Sequence, residues 1–311
     1  MNTKKIISNI LLLITAIIWG SAFVALQVGM DYIGPLTFSA SRFWLATLVL
    51  IPVVYIIEKT NNNTQKKTDN AEVTPTAEEI KKARRIFVVA SFLCGGSLFF
   101  ASILQQFGLI YTTVGKAGFI TALYIVLVPI FSLFLKQRPE LKSWIGVAFG
   151  SIGLYLLCIT ESFTIALGDF VVLMGAFFWA SHVLIIDYFL PYVNALKLSL
   201  AQFTVCASFS TIGMLIFEKP SLEAIYSCAV PILYAGILSG GVGFTFQILA
   251  QKHTTPTVAS LVLSLESVFA AIFGFLILGE IMTHRELLGC VLMFIAIILS
   301  QLPNKIFKKF T

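Results

Sequence analysis

The chain has 311 residues, of which 58% are hydrophobic and 12% charged, and its formal net charge is +6. A charged fraction of about half the usual value cannot cover a folded chain of this length with polar surface, which excludes a soluble globular protein. The lysines and arginines lie between apolar runs and not on one amphipathic face, so the positive charge does not indicate a nucleic-acid partner.

Apolar runs recur along the whole sequence, and they repeatedly reach the roughly 17 to 25 residues needed to cross the hydrocarbon core of a bilayer. The predicted spans are 6–28, 36–57, 86–110, 117–135, 143–160, 170–190, 197–217, 228–250, 257–278 and 286–302. The first follows the basic segment MNTKK and continues beyond the length of a signal peptide, so we expect an uncleaved helix. The sequence predicts an all-α integral membrane protein with ten transmembrane helices.

The distribution of basic residues predicts the orientation. Seventeen lysines and arginines fall on the side of the N-terminus, three fall in the opposite loops, and Arg42 lies inside a helix. The positive-inside rule then predicts a multi-pass plasma (inner) membrane protein with both termini cytoplasmic. The long polar stretch 58–85 is predicted to be a flexible cytoplasmic loop whose last part can form a short helix before the third span.

Two halves of the chain, 1–165 and 166–311, resemble each other in sequence. The matching segments are Thr112-Thr113 with Thr254-Thr255, Gln105 with Gln247, Ile130-Phe131 with Ile272-Phe273, and Trp19-Gly20-Ser21 with Trp179-Ala180-Ser181. Because each half holds five predicted helices, an odd number, the halves must have opposite orientations in the membrane. The sequence therefore predicts two inverted five-helix repeats with a site near the bilayer midplane that opens alternately to each side.

Several loose motifs occur in a specific order along both halves. They are Ile18-Trp19-Gly20-Ser21, Pro35 with Arg42, the run from Gln106 to Thr113, Leu265-Glu266-Ser267-Val268, Leu278-Gly279-Glu280 and Leu288-Gly289. In order and spacing they resemble EamA-type permeases of the drug/metabolite transporter superfamily over almost the full chain. The resemblance implies a ten-helix carrier with a central substrate cavity, commonly an exporter of amino acids or other metabolites. The family often has Glu-Pro-Val where this chain has Glu266-Ser267-Val268, so we expect a straighter helix here.

Two charged residues inside predicted spans are the main site candidates, because an intramembrane ion is costly and is functional by default. Arg42 can hold a substrate carboxylate or phosphate through its planar fork of donors, or it can extend to the outer interface. Glu266 lies mid-span, where it can serve as a proton-coupling group or a cation ligand. It can also form a structural hydrogen bond or an ion pair with Arg42.

Uncharged polar and aromatic residues inside the spans complete the set of candidates. His182 can relay a proton, or it can be satisfied by a neighbouring group. Gln105 and Gln247 occupy equivalent positions in the two halves and either face the cavity or join helices. Trp19 and Trp179 lie within spans and can stack on a substrate. Two glycine clusters, 95–97 and 239–243, are either bending points or sites of close helix packing.

We expect a secondary transporter that moves a small metabolite, an amino acid or a related compound, in the export direction, with possible coupling to protons. A membrane-embedded enzyme and a channel are the alternatives. An enzyme would need clustered reactive groups, whereas the three histidines are dispersed and no HExxH or GxSxG occurs. The five cysteines show no CxxC spacing, and no phosphate-binding loop is present, so no catalytic residue, metal site or cofactor is predicted. Self-association into a homodimer is left open.

Overall fold

The computed structural model describes residues 3–65, 76–112, 114–137, 139–158, 167–278 and 283–301, and all regular structure in these ranges is helical. The helices are α1 (Thr3–Met30), α2 (Pro35–Gln65), α3 (Ala77–Leu109), α4 (Val114–Ala122), α5 (Tyr124–Phe134), α6 (Leu141–Cys158), α7 (Leu167–Phe189), α8 (Ala195–Phe217), α9 (Leu222–Ser227), α10 (Ala229–Leu233), a π-helical segment (Tyr234–Phe244), α11 (Thr245–Gln251), α12 (Pro256–Leu263), α13 (Glu266–Leu278) and α14 (His284–Gln301). The motif residues Gly279 and Glu280 lie outside the described residues.

Within the described residues, eight helical stretches are long and apolar enough to span a membrane. They are Thr3–Met30, Pro35–Ile57, Ala77–Leu109, Ala117–Phe134, Leu167–Phe189, Ala195–Phe217, Ala229–Gln251 and Pro256–Ile277. These eight coincide with eight of the predicted spans and make the chain a multi-pass membrane protein. The remaining two predicted spans fall on α6 and α14, which are helices of 18 residues each. The total of ten spans stays a prediction.

Helices extend into both ends of the stretch predicted to be a loop at 58–85. Helix α2 continues to Gln65, and α3 already begins at Ala77. The early start of α3 has a local cause, because Thr76 and Glu79 form a reciprocal capping box at its N-terminus. The short helix predicted for the end of this stretch is therefore confirmed, whereas its first part, up to Gln65, is helical and not a loop.

The outer faces of the bundle are apolar and the interior is partly polar, as lipid requires. Phe134, Leu215 and Phe217 are between 72 and 81% exposed, which suits contact with acyl chains. The interior instead encloses glutamines, serines and the charged Arg42 and Glu266. The apolar outer surface distinguishes the chain from a soluble protein, and the buried polar residues place the reactive groups inside the bundle.

Contacts between the two halves of the chain occur in matched sets. Helix α3 packs on α7, and α1 packs on the π-helical segment and α11. Likewise α1 packs on α13, while α7 packs on α4 and α5. Helix α2 packs on α8, and α6 packs on α14. Each of these pairs joins helices that have the same place in the order of the two halves. Each half thus supplies equivalent surfaces to the centre of the molecule.

Two of the membrane helices are broken at corresponding places. Helix α4 ends at Ala122 and α5 begins at Tyr124, whereas α12 ends at Leu263 and α13 begins at Glu266. Tyr124 and Glu266 are separated by the same number of residues as Gln105 and Gln247, so they are equivalent positions of the two halves. Both breaks therefore lie at one position of the repeat.

The expectation of a straighter helix at Glu266 was wrong, because the helix breaks there without a proline. Ser264 donates its hydroxyl hydrogen to the carbonyl oxygen of Leu261 at 2.8 Å, and Ser267 donates to that of Ser264 at 2.8 Å. The backbone N–H of Ser267 also bonds to the carbonyl of Ser264, three residues back, at 3.2 Å. Serine hydroxyls that compete for helix carbonyls in this way bend helices. The serines thus account for a break that contains no proline.

The two glycine clusters behave differently. Helix α3 runs without interruption through Gly95, where an added Cβ would lie 2.8 Å from the carbonyl oxygen of Gln202 on α8. This favours close packing as the role of the first cluster. The second cluster lies inside the 11-residue π-helical segment, whose backbone differs from an α-helix over its whole length.

Candidate functional site

A narrow cavity lies at the centre of the bundle, where the two broken helices meet. Its walls come from α1, α2, α3, α4, α5, α7, the π-helical segment and α13. The lining residues are Trp19, Ala22, Phe23, Leu26, Arg42, Gln105, Thr121, Tyr124, Trp179, Ser239, Phe244 and Glu266. Its free volume of about 30 Å³ is room for about two water molecules, whereas small-molecule sites usually offer about 300–1,000 Å³. The site is therefore contracted in this conformation.

Arg42 reaches the cavity from α2 and is only 4% exposed. Its guanidinium carbon lies 4.6 Å from the ring centre of Phe43 and 5.8 Å from that of Phe38. Its Nε has no hydrogen-bond partner among the described residues, and no acidic side chain in that part of the chain forms an ion pair with it. Because the side chain is buried inside the bundle, the structure favours a position facing the cavity over the alternative in which Arg42 extends to the outer interface.

Glu266 faces the same cavity from the first turn of α13 and is also 4% exposed. Its carboxyl group lies beside the hydroxyl of Tyr124, its repeat counterpart, and its Oε1 has no hydrogen-bond partner within the described ranges. The ion pair with Arg42 considered above is not formed. A guanidinium and a carboxyl group thus line one small cavity without neutralising each other directly.

An aromatic cluster forms one wall of the cavity, and Phe244 is at its centre. The ring centre of Phe244 lies 4.6 Å from that of Trp19, 5.8 Å from that of Trp179 and 5.8 Å from that of Phe203. Trp19 donates its indole N–H to the backbone oxygen of Ser239 at 3.2 Å, while the indole N–H of Trp179 has no acceptor among the described residues. This wall can accommodate an apolar group and offers one hydrogen-bond donor.

Phe244 was not a candidate from the sequence, where it is one of 28 phenylalanines. The available signal was its position directly after Gly240-Gly241-Val242-Gly243 in a membrane span. An added Cβ at Gly243 would lie 2.6 Å from the indole nitrogen of Trp19. The glycine therefore lets the π-helical segment approach α1 closely and brings Phe244 against the tryptophans.

The remaining polar candidates divide between the cavity and its surroundings. Gln105 lines the cavity and donates through Nε2 to Oγ1 of Thr121 at 3.1 Å. Gln247 is 1% exposed and does not line the cavity. His182 lies behind the aromatic wall, where its Nε2 is 2.9 Å from Oε1 of Gln202 and its ring packs edge-on against Phe244. The structure thus brings Arg42, Glu266, Gln105, Trp19 and Trp179 together and leaves His182 and Gln247 outside the lining.

A multi-pass helical bundle that encloses a small cavity with one cation, one acid and an aromatic wall has the architecture of a membrane transporter. Residues 6–159 and 166–302 match the EamA-like transporter family, and the chain belongs to this family.

Relatives agree with this assignment. The chain is 29% identical over 304 residues to a protein of Archaeoglobus fulgidus described as an uncharacterized transporter, with 96% of this chain and 87% of that protein covered. It is 25% identical over 282 residues to the Bacillus subtilis protein described as uncharacterized transporter YoaV, with 89% and 90% covered. A solved crystal structure shares the fold, with a TM-score of 0.71 at 17% identity over 94% of this chain and 96% of the other.

Proposed function

We propose that this protein is a secondary transporter that exports a small metabolite, an amino acid or a closely related compound, across the plasma membrane by alternating access. The observation that carries the proposal is the central cavity, in which Arg42 and Glu266 are both 4% exposed and not paired with each other. Burying two charged groups without mutual compensation is costly, so their partners are expected in the bound state.

The arrangement suits a substrate with both a carboxylate and a cationic or proton-donating group. Arg42 would bind the carboxylate through its fork of N–H donors. Glu266 would accept a hydrogen bond from the amino group of the substrate. When no substrate is bound, it would accept a proton instead. The ring faces of Trp19, Trp179 and Phe244 would contact the apolar part of the molecule.

Alternating access is supported by the two-fold pattern of the bundle. The halves contact each other through matched helix pairs, and the breaks before Tyr124 and Glu266 occupy one repeat position. We infer that the halves are inverted repeats, with boundaries near 1–165 and 166–311, as five helices in each would require. The contracted cavity favours a carrier over the channel alternative, because a channel keeps a continuous pathway when open.

Export and proton coupling are the finer parts of the proposal. The positive-inside distribution supports cytoplasmic termini, and the resemblance to EamA-type permeases supports export. A buried carboxyl group can exchange protons when the cavity opens to either side, so Glu266 would link the proton gradient to the direction in which the cavity faces. His182 is the second candidate for this role.

Reconstituted protein in proteoliposomes tests the proposal. With an imposed pH gradient, the native protein is expected to accumulate an amino-acid substrate identified in a binding screen. Glu266→Gln keeps the side-chain size and removes its titration, so uphill accumulation should be lost while exchange between two substrate pools continues. The exposed Glu223 in α9 provides the matched control, and Glu223→Gln should accumulate substrate like the native protein.

The same experiment can contradict each part of the proposal. If Glu266→Gln still concentrates substrate when only a pH difference is supplied, Glu266 is not the coupling group and His182→Gln should be tested next. If the native protein neither accumulates nor exchanges any amino acid, amine or related metabolite, the proposed substrate class is wrong.

A further inference from the structure

A second and larger cavity, of about 520 Å³, opens at the end of the bundle that carries the N-terminal residues. It lies between the start of α1, the α5–α6 connection, the end of α7 and the α11–α12 connection. The central cavity and this one have no lining residue in common. The charge distribution assigns this end to the cytoplasm, and we call this second cavity the vestibule.

The N-terminus of α12 opens into the vestibule. Pro256 is the first residue of this eight-residue helix, and the side chain of Thr255, which precedes it, forms no capping hydrogen bond. Thr257 and Val258, in the first turn, line the vestibule. The first backbone N–H groups of a helix have no partner within the helix and carry a partial positive charge, so they attract anions.

Two buried polar side chains of the vestibule each have an oxygen atom without a hydrogen-bond partner within the described part of the chain. Thr254 is 7% exposed, and its Oγ1 forms no hydrogen bond. Gln251 is 3% exposed; it donates to the carbonyl of Val183 at 3.0 Å, but its Oε1 has no donor. Buried polar groups are nearly always satisfied, so each of these atoms can take a further hydrogen-bond partner, either a water molecule or a bound group. Thr254 can donate to an anion, and Gln251 can accept from a hydroxyl or amino group on the same molecule.

The charges around the vestibule favour an anion. Three lysines, Lys5, Lys142 and Lys252, line it together with two acids. Of the acids, Glu140 pairs with Lys142 at 2.8 Å, and Asp187 accepts a hydrogen bond from Gln137 at 3.0 Å. The lining therefore has an excess of one positive charge, and Lys252, which precedes the N-terminus of α12 by four residues, is exposed.

The other half of the chain shows what fills the equivalent place. Thr112, the counterpart of Thr254, donates its hydroxyl hydrogen to the carboxylate of Asp169. In the alignment of the two halves that matches Trp19 with Trp179, Asp169 matches Asn9, which carries no charge. The second half therefore supplies a carboxylate, that of Asp169, to the threonine before α4, whereas the first half has the uncharged Asn9 at the matching position.

We propose that the vestibule is a binding site for the carboxylate or phosphate group of a small molecule. The anionic group would contact Thr254 and the first turn of α12, with Lys252 beside it, in a place equivalent to that of the Asp169 carboxylate beside Thr112. This site is separate from the central cavity and does not depend on the transport mechanism proposed above.

The test is the thermal unfolding of the full-length protein in detergent, measured against inorganic phosphate at constant ionic strength with chloride as the balancing anion. A ligand that binds the folded state raises the unfolding temperature in a saturable way. Thr254→Val and Lys252→Gln are each expected to raise the half-saturating phosphate concentration about tenfold or more. Thr112→Val is the matched control and should keep the native phosphate dependence, because its partner is Asp169.

A reciprocal variant supplies the missing carboxylate. Asn9→Asp should remove the phosphate response, since the protein would then occupy the position itself. Nanodiscs of phosphatidylcholine with and without phosphatidylglycerol distinguish the sources of the anion. If phosphatidylglycerol stabilises the native protein but not Lys252→Gln, and reduces the phosphate response, the site is supported with a lipid headgroup as its ligand. The proposal is overturned if phosphate stabilises no more than chloride, or if Thr254→Val and Lys252→Gln both respond like the native protein.

Discussion

Replacing Arg42 with methionine separates a substrate-binding role from a structural one. In the contracted state the guanidinium is 4% exposed, and its Nε has no acceptor within the described residues. A buried polar group without a partner destabilises the fold by about 1–3 kcal/mol, and the cation–π contact with the ring of Phe43 stabilises it by about 0.5–2 kcal/mol. Because the burial cost is larger still for a charged group, Arg42→Met should leave the free energy of unfolding about unchanged or raise it.

The same substitution should strongly weaken transport. Losing charged hydrogen bonds to a substrate carboxylate costs about 1.5–3 kcal/mol, which is about a 10- to 150-fold loss in affinity. Arg42→Lys should fall between the native protein and Arg42→Met, because a point charge lacks the two-pronged geometry.

Arg285, whose guanidinium carbon lies 5.3 Å from the ring centre of Tyr155, provides a matched control. It is another arginine over an aromatic ring but does not line the central cavity. Thermal unfolding of purified protein and uptake into proteoliposomes would measure both effects. A loss of more than about 3 kcal/mol of stability, the usual effect of breaking a buried charge pair, would show that Arg42 holds the fold together. Normal transport by Arg42→Met would refute the binding role.

Further predictions concern packing and orientation. Phe244→Ala should cost about 3–5 kcal/mol of stability, because the ring is buried among other aromatic rings; a cost below about 1 kcal/mol in thermal unfolding would mean that the wall is loosely packed. Gly95→Ala should destabilise the protein by overpacking α3 against α8, whereas Gly96→Ala, whose added Cβ meets only a Phe209 ring atom at 3.9 Å, should be neutral or gain about 1 kcal/mol. A cysteine at Ser221 should react with an impermeant thiol reagent in intact cells, whereas a cysteine at Asn62 should react only after lysis. The opposite result would contradict the predicted orientation.

Much of the fold was predictable because lipid imposes simple requirements on sequence. Apolar length identified eight membrane helices that the structure contains, and the cost of intramembrane charge selected Arg42 and Glu266, which do lie in one cavity. Trp19, Trp179 and Gln105 were selected for being polar or amphipathic within a span, and they line the same cavity.

The features that were missed depend on contacts between distant residues. The break at Glu266 was not expected because sequence rules associate breaks with proline, whereas here serine hydroxyls bind the carbonyls of the preceding turn. Phe244 was missed because its role depends on the close approach of Gly243 to Trp19, which no local pattern reveals. His182 was selected as an ionisable residue within a span and Gln247 by repeat alignment, and neither criterion gives the direction of a side chain.

The π-helical segment gives one cavity wall a simple way to move. In a π-helix each N–H bonds five residues back, and in an α-helix four residues back, so one form can convert into the other while nearly every backbone group stays paired. Such a conversion would lengthen the span and change the position of Phe244 relative to the tryptophans. The resistance to this motion would then come from ring packing and not from the peptide backbone.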